Sequence, residues 1–186
     1  MSLPVSQADD PIDATRHWLQ RAVIGLNLCP FAKAVVAKDQ VRYVLSSAQT
    51  AQALLATLGE ELIHLRDTPA TELDTTLIVH PQVLADFLDY NDFLQQADDL
   101  VRELDLEDVL QVASFHPDYQ FADARPDDVE NCTNRSPYPT LHLLREDSVS
   151  RAVAAFPDPD AIVERNIATL RQLGHAGWRQ VLDGKA

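Results

Sequence analysis

The sequence predicts an α/β (α+β) fold: a single domain built on an open, mixed, four-stranded sheet covered by helices. Short β-type runs alternate with segments of helical periodicity, which is typical of a sheet with helices packed against it. The last two runs have no helix between them, so we expect those strands to pair antiparallel and make the sheet mixed. A length of 186 residues fits one domain, which we divide into a loose N-terminal leader over 1–10 and a folded domain over 11–186.

The first helix is predicted at Asp10-Pro11, with Asp10 as N-cap and Pro11 at the first helical position. Leu19, Val23 and Leu26 form its apolar stripe. The other predicted helices cover 31–38, 50–66, a long segment from Pro81 to Leu104, 148–156 and 158–173, where Gly174 stops the last one. The predicted strands cover 41–45, 77–79, 109–115 and 141–145.

A segment of about 25 residues between Phe115 and Leu141 shows no periodicity. Compact domains rarely contain a loop longer than about 15 residues unless it is functional or disordered. Disorder fits poorly, because the segment contains Tyr119, Phe121, Cys132 and Tyr138. We therefore expect a long ordered loop between the third and fourth strands that forms a site.

The composition limits the classes of partner. With 29 acidic and 15 basic residues the formal net charge is −14, which disfavours nucleic acid as a partner. Residues 1–10 do not resemble a signal peptide, and no apolar run is long enough to span a membrane, so we expect a cytoplasmic protein with reduced thiols. Phosphate-binding and metalloprotease motifs are absent. The pattern assigns neither a cofactor nor an oligomeric state.

Three residues are candidates for catalysis. Cys29 lies beside the predicted start of the 31–38 helix, whose N-terminus would favour the thiolate, although a small buried side chain is an equally ordinary role for cysteine. Cys132 lies in a polar stretch and is expected to be exposed. His116 directly follows the best predicted strand, and ligands bind at the carboxyl ends of strands in open α/β sheets. His80 follows a strand in the same way.

A second group of residues is suited to holding a small polar or anionic substrate. Arginine binds carboxylate and phosphate through a planar fork, and asparagine can orient a polar group, although both also brace loops and turns. The candidates are Asn27, Tyr119, Arg125, Asn131, Asn134, Arg135, Tyr138 and His142.

Three functional hypotheses follow from these residues. The first is an enzyme that uses Cys29 as nucleophile or redox thiol, His116 as acid/base and Cys132 as a second thiol, within a site formed with the 115–143 loop. The second is a binding or assembly module whose loop offers an exposed apolar patch around Tyr119, Phe121 and Tyr138. The third is a metal site, for which mixed cysteine and histidine ligands suit zinc or iron. Its ligands would be Cys29, His116, Cys132 and His142.

Three segments resemble a known family. They read VIGLNLCPFA from Val23, SFHPDYQFA from Ser114 and NCTNRSPYPTLHLLR from Asn131. With nearly the whole chain, they are similar to the family described as domain of unknown function 1415. The resemblance implies a cytosolic, bacterial-type single domain of roughly this length, and it implies no particular reaction.

Overall fold

Helices and strands alternate along the chain as predicted. The computed structural model describes residues 10–156, 158 and 160–184, so the predicted leader lies outside the described residues except for Asp10. The side chain of Asp10 accepts a hydrogen bond from the N–H of Ile12 at 2.8 Å and caps helix α1 (Pro11–Trp18). This helix continues as a π-helical segment over Leu19–Ile24.

The other elements follow in chain order. They are α2 (Ala32–Ala37), β1 (Val41–Leu45), α3 (Ala51–Asp67), β2 (Thr75–Val79), α4 (Phe87–Glu103), β3 (Leu110–Phe115), a 3-10 helix (Val129–Asn134), β4 (Thr140–Arg145), α5 (Glu146–Ala155) and α6 (Asp160–Leu182). None of the helices within the described ranges combines the length and the apolar composition that crossing a bilayer requires.

The four strands form one mixed sheet in the order β1-β2-β4-β3. Strand β1 pairs parallel with β2, and β4 pairs antiparallel with both β2 and β3. Strand β3 therefore runs in the same direction as β1 and β2, and the carboxyl ends of these three strands meet at one edge of the sheet. The predicted fold class is confirmed, including the antiparallel pairing of the last two strands and the single domain.

Helices α3 and α4 cover one face of the sheet. The leucines at helical spacing in α3 are fully buried together with Tyr90 and Phe93 of α4, against Ile78 and Leu141 of the sheet. Burying one such side chain stabilises a fold by about 1.5–3 kcal/mol. We call this cluster the α3–α4 core.

Helix α1, its π-helical extension and helix α6 form a second cluster, the α1–α6 core. It contains Trp18, Leu170 and Trp178, and the ring of Phe115 at the end of β3 packs edge-on against Trp18 with 5.2 Å between centroids. The side chains of Phe115 and His116 point to opposite faces because successive residues of a strand alternate. This alternation separates the candidate residues between the two cores.

One predicted helix boundary is wrong. Helix α4 begins at Phe87 and not at Pro81, because the side chain of Asp86 accepts hydrogen bonds from the N–H groups of Leu88 and Asp89. The preceding Leu84 has a φ of 57°, which no helix contains. The predicted stop at Gly174 is found, because its φ of 61° and ψ of 179° are not helical. A second helical segment, which the sequence did not predict, follows it to Leu182, so α6 consists of two helical segments joined at a kink.

Candidate functional site

Two histidines lie at the carboxyl-end edge of the sheet. His80 follows β2, and its backbone N–H donates to the carbonyl oxygen of Pro139 at 3.0 Å. His116 follows β3, and its backbone N–H donates to the carbonyl oxygen of Asn134 at 3.2 Å. These two bonds tie the loop over residues 116–139 to the ends of both strands. Ligands of open α/β sheets usually bind at this edge.

The side chain of His116 is fully buried, and both ring nitrogens have backbone partners. Its Nδ1 accepts a hydrogen bond from the N–H of Asp118 at 3.0 Å, so Nε2 carries the proton and donates to the carbonyl oxygen of Leu84 at 3.1 Å. Burial lowers the pKa of His116, although the nearby carboxylates of Asp118 and Asp86 oppose the shift. The imidazole is therefore neutral and held in one tautomer.

His80 is also fully buried, but only one of its nitrogens has a partner. Its Nδ1 donates to the carbonyl oxygen of Val83 at 3.1 Å, and Nε2 has no hydrogen-bond partner among the described residues. Burial lowers the pKa of His80 to about 4. The ring stacks on Tyr90, with 5.7 Å between centroids and 17° between planes.

Tyr90 joins the two histidines and the sheet. Its hydroxyl donates to the carbonyl oxygen of Thr140 at 2.8 Å and accepts from the N–H of Phe115 at 3.2 Å. Its ring lies 5.0 Å from that of His116. Burial raises the pKa of Tyr90 well above its usual value of 10, so the hydroxyl stays protonated. Sequence reasoning missed Tyr90, yet its i, i+3 spacing from Phe87 places both rings on one face of α4.

A row of aromatic rings leads from this buried cluster to the surface. The ring of Phe87 lies 5.5 Å from His116 and 5.3 Å from Tyr119, and Tyr119 lies 5.1 Å from Phe121. Phe121 is 36% exposed, and Leu88, beside Phe87, is 71% exposed. We call Phe87, Tyr119 and Phe121, with the exposed Leu88 that follows Phe87 in the chain, the aromatic surface. Of the apolar patch expected around Tyr119, Phe121 and Tyr138, Tyr119 and Phe121 lie in this row of rings, together with Phe87 of α4.

Asn131 holds the loop in its conformation. Its side chain is fully buried: Oδ1 accepts from the N–H of Phe121 at 3.0 Å, and Nδ2 donates to the carbonyl oxygen of Arg125 at 2.7 Å. A long loop on the surface needs such bonds to satisfy its backbone groups. Both polar atoms of this predicted substrate-binding side chain therefore bind the protein itself.

Arg135 and Asn134 brace the same loop. The guanidinium of Arg135 donates from Nε to the carbonyl oxygen of Tyr119 at 3.1 Å and from Nη2 to that of Pro126 at 2.7 Å. Asn134 Nδ2 donates to the carbonyl oxygen of Ser114 at 3.3 Å. The loop is ordered, as predicted, and several of its polar side chains supply that order.

The two remaining loop candidates, Arg125 and Tyr138, take part through their backbones. The N–H of Arg125 donates to Oδ2 of Asp128 at 2.8 Å, and its exposed guanidinium has no hydrogen bond or ion pair with the described residues. The carbonyl oxygen of Tyr138 accepts from Ser136 Oγ at 2.6 Å and from Thr140 Oγ1 at 2.9 Å.

The two cysteines lie on the other face of the sheet from the buried histidines. Cys132 is 2% exposed within the α1–α6 core, so the expectation that it is exposed is wrong. Burial raises the pKa of Cys132, and the adjacent Arg135 guanidinium lowers it in part. Cys29 is partly exposed and packs against the same core. The imidazole of His116 instead packs with Phe87 and Tyr90.

His142 lies in β4 on the same face as the cysteines. Its Nε2 lies 2.7 Å from the hydroxyl oxygen of Thr75, and its ring lies 5.8 Å from that of Phe115. The side chain keeps some exposed surface, yet the protein surrounds it closely enough that burial lowers its pKa to about 4. His142 is therefore neutral at pH 7.

Asn27 forms the reversal after the first helical segment. Its φ is 53°, its N–H donates to the carbonyl oxygen of Ile24, and the N–H of Leu28 donates to that of Val23. These two bonds form a Schellman motif, in which asparagine is the usual alternative to glycine. The carbonyl oxygen of Asn27 accepts from Nη2 of Arg165 at 2.8 Å.

No group of three or more histidine, cysteine, aspartate or glutamate side chains within residues 10–156, 158 and 160–184 is arranged to hold a metal ion. The structure thus does not bring Cys29, His116, Cys132 and His142 together as a ligand set in the described part of the chain.

Fold and site together define a single-domain α/β protein with a mixed four-stranded sheet and a long braced loop at its carboxyl-end edge. The chain belongs to the family described as protein of unknown function (DUF1415), whose model matches residues 10–180. No curated protein and no solved structure gives a significant match to the chain.

Proposed function

We propose that this protein is a binding module that docks a basic, partly apolar segment of another protein on the aromatic surface. The observation that carries the proposal is an ordered row of rings that ends at the exposed Phe121, with the exposed Leu88 next to Phe87 in the chain. Rigid aromatic side chains give large contact areas at low entropic cost, which is why they are enriched in interfaces.

The charge around the aromatic surface supports a basic partner. Residues 67–124 contain 14 acidic residues and one basic residue, Arg102, so this stretch carries −13 of the net charge of −14. Arg102 itself pairs with Asp99 and Glu107. The stretch includes α4 and both Tyr119 and Phe121. Arginine and lysine bind aromatic faces and carboxylates together, so a basic segment complements this surface.

The exposed carboxylates stand close to the rings. Asp86 and Asp118 both lie near enough to His116 to act on its pKa, and Asp118 directly precedes Tyr119 in the chain. Asp89 and Asp123 are exposed beside Leu88 and Phe121 in sequence. Carboxylates around an apolar centre resemble the polar rim of many interfaces.

The polar residues of the loop favour docking over catalysis. The nitrogens of His116, the amide of Asn131 and the guanidinium of Arg135 all bind backbone groups of the protein. A catalytic acid or base needs a free nitrogen within reach of a substrate. A docking surface needs only that its loop be held rigid, which these bonds do.

The test is the anisotropy of a fluorescent 12-residue peptide of alternating arginine and leucine, titrated with the protein. We expect saturable binding that weakens with added salt, and no binding of the same peptide with glutamate in place of arginine. Leu88→Ala and Phe121→Ala should each weaken binding by roughly fivefold or more. Val163→Ala is the matched control, because Val163 is 59% exposed on α6.

The contribution of the nearby carboxylates to peptide binding is tested by the same titration. Asp118→Asn with Asp123→Asn should weaken binding and reduce its salt dependence, whereas Glu164→Gln on α6 should not. Peptide binding that survives Leu88→Ala and Phe121→Ala unchanged, or that responds equally to the control substitutions, would show that the aromatic surface is not the docking site.

A further inference from the structure

A separate cleft lies at the opposite edge of the sheet, beside the amino ends of the parallel strands. Gln40 and Asp74, which immediately precede β1 and β2, form part of its wall. The cleft has a volume of about 540 Å³, within the range of about 300–1,000 Å³ typical of small-molecule sites. A smaller cavity of about 170 Å³ adjoins it and shares Ser148 and Arg151.

One wall of the cleft is apolar. Phe31, Ala34 and Val35, at the start of α2 and along it, face the cleft. The ring of Phe31 is held edge-on against Phe156, with 6.1 Å between centroids. This wall can receive a short hydrocarbon chain or a ring, the apolar part that such sites commonly bury.

The opposite wall carries a chain of hydrogen bonds. Ser148 Oγ donates to Oδ1 of Asp74 at 2.6 Å, and Nη2 of Arg151 donates to Ser148 Oγ at 3.0 Å. Asp74 is itself anchored, because its N–H donates to the carbonyl oxygen of Gln40 at 3.0 Å. The guanidinium of Arg151 is thus oriented by a fixed partner and keeps further N–H groups for a ligand.

Two cations at the cleft have no carboxylate partner. Among the described residues, neither Arg151 nor Lys38 forms an ion pair. Unpaired positive charges beside an apolar wall match a ligand with an anionic head and an apolar body, and arginine binds carboxylate or phosphate through its fork.

We infer that this cleft is a second binding site, which takes a small amphipathic organic anion with its carboxylate or phosphate on Arg151 and Lys38 and its apolar body against Phe31, Ala34 and Val35. The site is independent of the aromatic surface, which lies at the other edge of the sheet. Cys29, the more exposed of the two thiols, directly precedes Pro30 of the cleft in the chain.

The experiment is a titration of the ¹⁵N-labelled full chain, followed by NMR, with hexanoate and phenyl phosphate as anionic probes and hexanol and hexylamine as neutral and cationic controls. We expect saturable shifts at Ala34, Val35 and Ser148 for the anions, and binding at least roughly tenfold weaker for the two controls. Equal responses to hexanol and hexanoate would overturn the role of the cations.

Variants test the two halves of the cleft. Arg151→Gln should weaken anion binding by roughly tenfold and Lys38→Gln by a few-fold, while Arg179→Gln on α6 is the matched control. Ala34→Glu should block the cleft, and Ala176→Glu on α6 is its control. The proposal fails if no anion binds saturably to the wild type, or if Arg151→Gln, shown folded by circular dichroism, binds as wild type does. Binding of the arginine-leucine peptide should be unchanged in all these variants. The experiments therefore test the proposed cleft and the proposed docking surface independently.

Discussion

The Nε2 atom of His116 donates a hydrogen bond to the carbonyl oxygen of Leu84 at 3.1 Å, and Leu84 has a φ of 57°. A branched, bulky residue rarely adopts this left-handed conformation, which costs roughly 1–2 kcal/mol. The bond therefore fixes a strained turn between β2 and α4, and His80 holds the same turn through Val83. The hydrogen bond that His116 Nδ1 accepts from the N–H of Asp118 requires this imidazole to be neutral, and burial of both rings disfavours the imidazolium form.

Burial of neutral histidines predicts a loss of stability in mild acid. The pKa values of His80 and His142 fall from 6.5 to about 4 on folding, so below pH 6.5 the unfolded chain binds more protons than the folded one. The stability contribution is complete above pH 6.5 and is lost as the pH falls towards 4. Each histidine should remove about 1.4 kcal/mol from the free energy of unfolding per pH unit, and the pair about 2–3 kcal/mol between pH 6.5 and 5.5.

Urea unfolding at pH 7.5, 6.5 and 5.5 measures this dependence. The variant His142→Gln removes one titrating group and keeps a side chain that can bond to Thr75. Because burial also lowers the pKa of His116, the variant should reduce the slope between pH 6.5 and 5.5 by roughly a third to a half. Parallel pH profiles for the wild type and the variant would contradict the prediction.

The strands and their edge could be predicted from sequence because local patterns determine them. The run Val41 to Leu45 has the β-branched and apolar composition of a strand and is found with the predicted bounds. The antiparallel pairing of β3 and β4 was predictable because the segment between them has no α-helical periodicity. The position of His116 at the carboxyl-end edge follows in turn, since β3 is parallel to β1 and β2.

Burial could not be predicted where long-range contacts decide it. Cys132 lies in a polar stretch, yet the 3-10 helix that contains it packs against α6, and its side chain enters the α1–α6 core. The start of α4 differs from the predicted position for a similar reason. The turn before Asp86 is held by His80, which precedes the helix, and by His116, which is distant in sequence. The cleft near Arg151 also joins segments far apart in the chain, and no local pattern indicates it.

The two thiols should differ in reactivity. Cys132 is 2% exposed and its pKa is raised by burial, whereas Cys29 is partly exposed. Only the thiolate reacts with iodoacetamide, and only when the reagent reaches it. We expect Cys29 in the native protein to be alkylated at least roughly tenfold faster than Cys132, as followed by peptide mass spectrometry. The difference should disappear in concentrated urea; equal rates in the native state would show that Cys132 is accessible.

Asn131 should be required for presentation of the aromatic surface. Replacing it by alanine removes both hydrogen bonds of a fully buried amide, which should cost about 1–3 kcal/mol of stability. Asn134→Ala is the matched control: it removes one longer bond, at 3.3 Å, and should cost about 1 kcal/mol or less. Urea unfolding gives the two free energies.

Hydrogen exchange separates a loosened loop from a general loss of stability. In Asn131→Ala the amide of Phe121 should exchange faster than expected from the global free energy of unfolding, while amides of β2 in the sheet should follow that free energy. The arginine-leucine peptide should then bind more weakly to the folded variant, because Phe121 no longer has a fixed position. If the Phe121 amide stays protected and the peptide binds as it does to the wild type, the bonds of Asn131 do not hold the docking surface. The loop would then be held by Arg135, which donates to the carbonyl oxygen of Tyr119.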